Sequence, residues 1–269
     1  MMPLRFAAAL LLQRQLLWRL SEREVIGRYR GSLLGWGWSF LNPLLMLAVY
    51  NFVFSEVFKS RWEQDSSGHG TLGFAINLFA GLMVFNLFAE CASKAPTLIL
   101  ENSNYVTKVV FPLEILAGVT VATATFHAFT SVIILAIFQL LSQGSVPLTT
   151  LWLPVVWLPL ILGCLGLTWL LSALGVFLRD INQVVGVAVS MLMFLSAVFY
   201  PVSALPQAWR PLLSLNPIIP IIQETRRICV NGQPPQPLYL LLGIGLGLVV
   251  CELGYRSFQK SRRAFADVM

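Results

Sequence analysis

Residues 151–178 read LWLPVVWLPLILGCLGLTWLLSALGVFL, 28 positions without an Asp, Glu, Lys, Arg or His. At ~1.5 Å per residue a helix of this length would measure ~42 Å, more than the ~30 Å of hydrocarbon in a bilayer. A strand of a membrane barrel is much shorter, about 10 residues of alternating polarity. The stretch therefore reads as a membrane-crossing helix, and its extra length implies tilt or an interfacial extension. Pro154 and Pro159 should kink or delay its start.

The rest of the chain calls for the same solvent. It is 57% hydrophobic and 11% charged, with a mean hydropathy of +0.76, whereas soluble domains carry about 25% charged residues. A water-soluble protein of 269 residues could not hide that much apolar surface. Lipid leaves only helices or a closed barrel, and the apolar runs are about twice the length of a barrel strand. The expected fold class is an all-α membrane protein with six transmembrane helices per protomer. The spans are Leu33–Phe58, Thr71–Cys91, Leu113–Leu141, Leu151–Leu178, Ile181–Phe199 and Leu238–Tyr255.

Charge sets the orientation. With both ends in the cytoplasm, 13 of the 18 Lys and Arg residues fall on the inside, and Lys59, Arg61, Arg210, Arg226 and Arg227 on the outside. Cytoplasmic loops carry the excess of Lys and Arg, so N-in and C-in is expected. The net charge of +6 sits at the chain ends, where orientation and anionic lipid account for it and nucleic acid is not implied. Cys91, Cys164, Cys229 and Cys251 show no CxxC spacing and read as buried inert thiols. Arg5 followed by Phe6–Leu12 looks superficially like a signal peptide, but Gln13 and Arg14 stand where a small-residue cleavage site would be. It is read as retained.

Residues 1–32 form an N-terminal segment distinct from the transmembrane domain at 33–269. Leu12, Leu16, Leu17 and Leu20 share one helical face opposite Gln15, Arg19 and Glu22, which predicts an amphipathic helix on the cytoplasmic membrane surface. The loop at 92–112 is too polar at Glu101-Asn102-Ser103-Asn104 to stay in lipid and too long for a turn. A short cytoplasmic helix and a return segment fit it. Residues 200–237 hold eight prolines separated by apolar pieces such as Ile218–Ile222. Such pieces read as re-entrant extracytoplasmic helices between the fifth and sixth spans, a backbone tolerated where protein or a cavity surrounds it. An ordinary loop with an apolar core is the alternative.

Several chemistries lack their residues. No G-x-x-x-x-G-K-[ST] is present, so no P-loop binds ATP. His69 and His127 are far apart and no metal site is indicated, although an intramembrane ionisable group such as His127 always raises a functional question. There is no G-x-S-x-G and no D-x-D. Glu56, Glu90, Glu114 and Glu252 lie near span ends rather than through span centres, which weighs against a proton relay. A membrane-embedded glycosyl- or acyltransferase would need a convergent acid, base or metal cluster, and none is visible.

Four stretches in order carry a resemblance: RYRGSLLGWGWSFLNPLLMLAVYNFVF at 28–54, ENSNYVTKVVFPLEILAGV at 101–119, RDINQVVGVAVSMLMFLSAVFYPVSALP at 179–206 and LNPIIPIIQETRRICVNGQ at 215–233. On this scaffold the sequence resembles the permease subunits of bacterial ABC-2-type exporters of polysaccharides, the family that moves O-antigen, capsule and teichoic acid chains. The resemblance implies an inner-membrane homodimer with two copies of a separate ATPase subunit. This chain then binds no cofactor, and ATP and Mg belong to the partner. Segment 1–32 is similar to the family's interface helix, 92–112 to its coupling loop and 200–237 to its periplasmic gate. The substrate implied is a lipid-linked polysaccharide, most specifically O-antigen on undecaprenyl diphosphate. Capsule, teichoic acid or a small lipid or drug are the alternatives.

Residue roles follow on that basis. Arg28, Tyr29 and Arg30 would meet the diphosphate, since Arg offers a fixed fork of donors to phosphate oxygens; the same residues could instead hold anionic lipid. Trp36, Trp38, Phe40, Tyr50, Phe54 and Phe58 would line the channel, because aromatic faces give sugars broad contact without deep hydrogen-bonded traps. Interfacial anchoring is their other reading. The periplasmic gate would use Phe199, Tyr200, Pro201, Trp209 and Asn216. Contact with the ATPase would fall to Glu101, Asn102, Tyr105 and Lys108.

Overall fold

The computed structural model describes residues 5–53, 70–107, 111–202, 207–208 and 215–265. All regular structure among them is helical. The long elements are α4 (Gly70–Lys94), α7 (Glu114–Gln143), α9 (Leu158–Phe177) and α12 (Pro237–Ser261). With short extensions they give four stretches long and apolar enough to cross a bilayer: Gly73–Glu101, Glu114–Gln143, Leu148–Phe177 and Pro237–Ala264. α3 (Trp38–Asn51) and α10 (Ile181–Leu195) are apolar but shorter, ~21 and ~22 Å at the helical rise. The last residues of the expected first span, through Phe58, lie outside the described residues.

The prolines segment the 151–178 stretch instead of bending one helix. A 3-10 turn at Leu148–Trp152 leads into α8 (Leu153–Val156) and then α9, with Pro154 and Pro159 in the first turns of the two helices. There a missing N–H costs nothing, because the first-turn donors have no intrahelical acceptor. α7 ends on Gly144, at φ +73°, whose N–H returns to the Leu140 carbonyl at 3.1 Å. That left-handed stop is open to glycine at little steric cost.

α9 and α12 run parallel and almost touch. A Cβ at Gly254 would lie 2.0 Å from the Gly166 carbonyl oxygen, and one at Gly166 would lie 2.4 Å from that of Val250. In lipid, helices associate through close packing because burial of apolar surface gains little, so small residues at the contact matter. Trp169 seals the same layer. Its ring meets Tyr255 edge-on at 5.1 Å, and its indole N–H donates to the Glu114 carbonyl at 2.9 Å. At the far end of α9, a Cβ on Gly175 would fall 1.9 Å from the Pro96 carbonyl oxygen, so α9 abuts the Ala95–Thr97 turn that follows α4.

α11 (Ile218–Cys229) turns its isoleucines into the bundle and is buried along most of its length. Thr225 accepts the Trp157 indole N–H at 2.9 Å, and the Gln139 amide donates to the Cys229 carbonyl at 2.8 Å. Thr149 donates to the Ile228 carbonyl at 2.6 Å. α11 therefore docks where α7 ends and α9 is approached, packed in protein rather than spread over a surface.

The N-terminal segment differs from its sequence reading in one respect. Gln13, at φ −109° and ψ 22°, breaks it into α1 (Arg5–Leu12) and α2 (Arg14–Tyr29). The expected Leu12–Leu20 stripe is thus split: Leu12 is 82% exposed, while Leu17 packs on Gly118 of α7. Leu16, Leu17 and Leu20 stay together on α2 and are part-buried, and the face of Leu17 continues through the buried Ser21 and Val25.

Candidate functional site

Three ionisable side chains from three helices converge at the end of α2. Arg28 lies in its last turn, where the helix dipole favours a cation. Its guanidinium sits 2.8 Å from Glu90 Oε1 on α4 and 2.7 Å from His127 Nδ1 on α7. His127 Nδ1 is in turn 3.1 Å from both Glu90 oxygens. Unprotonated, that nitrogen accepts an N–H from Arg28; protonated, it donates to Glu90. The Tyr29 ring meets the imidazole edge-on, with centroids 6.2 Å apart. Lower on α2, Glu24 pairs with Lys94, and Arg23 donates to the Tyr105 hydroxyl at 3.1 Å. The N-terminal helix is thereby tied to α4 and α7 by charge as well as by Leu17.

The two arginines lie in different surroundings. Arg28 turns inward to Glu90 with its side chain 46% exposed, whereas Arg30 is exposed at the extended end of the helix. Between Arg30 and α3 the chain turns through Gly31 at φ +85° and Gly35 at φ +49°, a left-handed backbone suited to glycine. The sequence marked His127 as an intramembrane ionisable group but gave no cue that Glu90, 37 residues earlier, would meet it.

The first-span aromatics divide between environments. Trp36 falls in the 3-10 turn Gly35–Gly37. Trp38 is half-buried, Phe40 is exposed, and Tyr50 packs against the core near the fully buried Leu47. Phe54 and Phe58 lie outside the described residues.

Of the residues expected at the gate, Phe199, Tyr200 and Asn216 meet the end of α10. Phe199 stacks on Phe194 with centroids 5.6 Å apart, and the Tyr200 hydroxyl donates to the Phe194 carbonyl at 2.8 Å. Asn216 donates to Ser196 Oγ at 2.9 Å while its own side-chain oxygen accepts the Ile218 N–H, the first of α11, at 3.0 Å. Pro201 is half-buried beside them, and Trp209 lies outside the described residues. A residue the sequence reading counted as an outside cation organises this region. Arg226 of α11 is only 6% exposed and donates to the carbonyls of Asn77, Ala197 and Val198 at 2.9, 3.0 and 2.6 Å. Ala197 stands at φ +52°. Gly81 makes room for the guanidinium, since a Cβ there would lie 2.8 Å from Nη2.

The segment after α4 is more structured than a loop. The 3-10 turn Ala95–Thr97 continues into α5 (Leu98–Glu101) and α6 (Ser103–Thr107). Glu101 is exposed, while the Asn102 amide bonds back to the Leu98 carbonyl at 2.8 Å. Tyr105 stacks on Phe111 at 4.4 Å. Arg262 then fastens this region to the C-terminal helix, reaching Glu114 Oε2 at 2.9 Å and the Phe111 carbonyl at 3.0 Å. Lys108 lies outside the described residues.

Curated relatives align along this whole arrangement. The chain is 28% identical over 267 residues to the O-antigen export system permease protein RfbA of Myxococcus xanthus, covering 98% of this chain and 99% of that one. It is 22% identical over 251 residues to RfbA of Klebsiella pneumoniae, with 93% of each chain covered. The polysialic acid transport protein KpsM of Escherichia coli is 19% identical over 217 residues, 78% of this chain and 79% of its own. Residues 15–228, from α2 through α11, match the family described as ABC-2 type transporter, and the chain belongs to that family.

Proposed function

We propose that the chain is the membrane permease of an ATP-driven polysaccharide exporter. In this reading it works as a homodimer with two copies of a partner ATPase in the inner membrane, its termini in the cytoplasm. Lipid-linked O-antigen, carried on undecaprenyl diphosphate, is the favoured substrate. The observation that carries this is the nearly full-length similarity to O-antigen export permeases, on an all-helical scaffold without a P-loop sequence.

The remaining roles follow from chemistry. α3 and α10 complete six spans with the four long stretches, and α11 serves as a re-entrant element. Arg30, exposed, and Arg28, part-exposed within its cluster, receive the diphosphate at the cytoplasmic lip. The first-span aromatics offer faces to sugar rings. Glu101 and its neighbours on α5 and α6 contact the ATPase, and rigid-body rocking of the protomers follows hydrolysis. Capsule polysaccharide is the second reading, favoured by the similarity to KpsM and to the capsule polysaccharide export inner-membrane protein CtrC of Neisseria meningitidis.

Deletion of the gene in its source organism separates the two. On the O-antigen reading, surface O-antigen disappears and undecaprenyl diphosphate-linked polymer accumulates inside. The wild-type gene restores export, whereas Arg28→Ala with Arg30→Ala does not, although the protein is made and dimeric. Loss of capsule with normal O-antigen establishes the second reading instead.

A further inference from the structure

Between α9, α11 and α12 lies a cavity of about 630 Å³, within the range of about 300–1,000 Å³ typical of small-ligand sites. Its wall is hydrocarbon over most of its length, formed by Phe88, Leu160, Ile221, Leu242, Leu246 and Val250. Its polar groups, Gln223, Glu224, Gln236 and Tyr239, gather where α9 and α12 begin. From Leu238 to Val250 the slot runs along α12, ~18 Å at the helical rise.

The polar end holds a buried carboxylate. Glu224 is 5% exposed, and its Oε2 accepts the Gln236 backbone N–H at 3.0 Å. A carboxylate offers about four lone-pair sites, and burying its charge beside hydrocarbon is costly without a cation. Tyr239 borders it, its hydroxyl held on the Val156 carbonyl at 3.0 Å.

We propose that this slot holds one hydrocarbon chain of a membrane lipid whose headgroup carries an ammonium, with the chain along α9 and α12 and the ammonium at Glu224. The composition places the protein in a bilayer, so the medium at the slot is lipid, and an apolar recess does not retain water. An apolar body with a single polar end matches a lipid, and the negative carboxylate selects a cationic group over an anionic one. A second copy of this chain fits less well. Stable interfaces bury about 800 Å² per partner over a broad surface, and a separate apolar face is open on α10 at Val184, Val187, Met191 and Phe194. The proposal rests on membrane insertion alone and is independent of the exported substrate.

Gly163 supplies the test, because it lines the slot and a Cβ there meets no atom within 4 Å. Gly163→Leu places a branched apolar side chain in the slot from a position whose Cβ is unobstructed. Glu224→Gln keeps an oxygen for the Gln236 N–H and removes the charge. The full chain, reconstituted in vesicles of equal phosphatidylethanolamine and phosphatidylglycerol and re-extracted in mild detergent, is examined by native mass spectrometry. The wild type should retain phosphatidylethanolamine, and Gly163→Leu should lower that occupancy roughly tenfold. Glu224→Gln should retain lipid with no preference between the two headgroups. Undiminished lipid in Gly163→Leu, or equal retention of phosphatidylglycerol by the wild type, overturns the proposal. So does a shift of Gly163→Leu from dimer to monomer at constant lipid content, which would make the slot a contact between copies.

Discussion

Replacing Arg226 by Met removes the guanidinium while keeping a long apolar stem against α4. The three carbonyls it serves, on Asn77, Ala197 and Val198, are then short of a donor in a buried place. Each orphaned buried group costs roughly 1–3 kcal/mol, giving an upper bound near ~9 kcal/mol. Against this, the variant escapes the cost of burying a cation, which is several kcal/mol. The net destabilisation expected is therefore ~3–5 kcal/mol. Ala197 adds a specific signature. Its φ of +52° is a strained backbone for a residue with a Cβ, at about 1–2 kcal/mol, and Arg226 holds its carbonyl in place. Ala197→Gly should thus recover part of the loss in the Arg226→Met background. Arg226→Lys should fall between, because a compact ammonium lacks the spread, planar fork that takes Nε, Nη1 and Nη2 to three separate carbonyls. The assay is the thermal midpoint of the detergent-solubilised protein followed by size-exclusion chromatography, with a fall of roughly 10 °C for Arg226→Met. A midpoint equal to the wild type's would refute the reasoning.

The other expectations concern packing, docking and coupling. Gly254→Ala and Gly175→Ala drive a Cβ against backbone oxygens at 2.0 and 1.9 Å and should each cost about 1–3 kcal/mol, while Gly245→Ala, with nothing within 4 Å, should leave the melting midpoint unchanged. Glu90→Gln loosens α2, read as faster hydrogen exchange across 14–29 than in the wild type; an Arg28/Glu90 double-mutant cycle should return about 1 kcal/mol or less, since Arg28 is 46% exposed. Charge reversal at Glu101 and Lys108 should lower the fraction of ATPase recovered with the permease on co-purification, and undiminished recovery would remove both residues from the contact.

Composition determined that the solvent is lipid, and the length of the apolar runs that the structure is helical. An unbroken apolar run such as 151–178 admits few other backbones once water is gone, and the same logic located the long helices before any packing was known. The loop at 92–112 and the proline-rich stretch at 200–237 were also legible as unusual, because both interrupt that pattern. What the pattern could not carry was partnership. Glu90, His127 and Arg28 are far apart in sequence and form a cluster only because α2 lies along α7 beside α4. Arg226 looked like a solvated outside cation because counting charges assumes loops face water; three carbonyls on other elements made it a buried clamp. Gly166 and Gly254 read as ordinary glycines in apolar runs, and their close approach depends on two parallel helices far apart in the sequence. Solvent preference is a local property summed over residues, so sequence reports it. Which groups satisfy one another is a property of distance in the folded chain, and tertiary structure alone decides it.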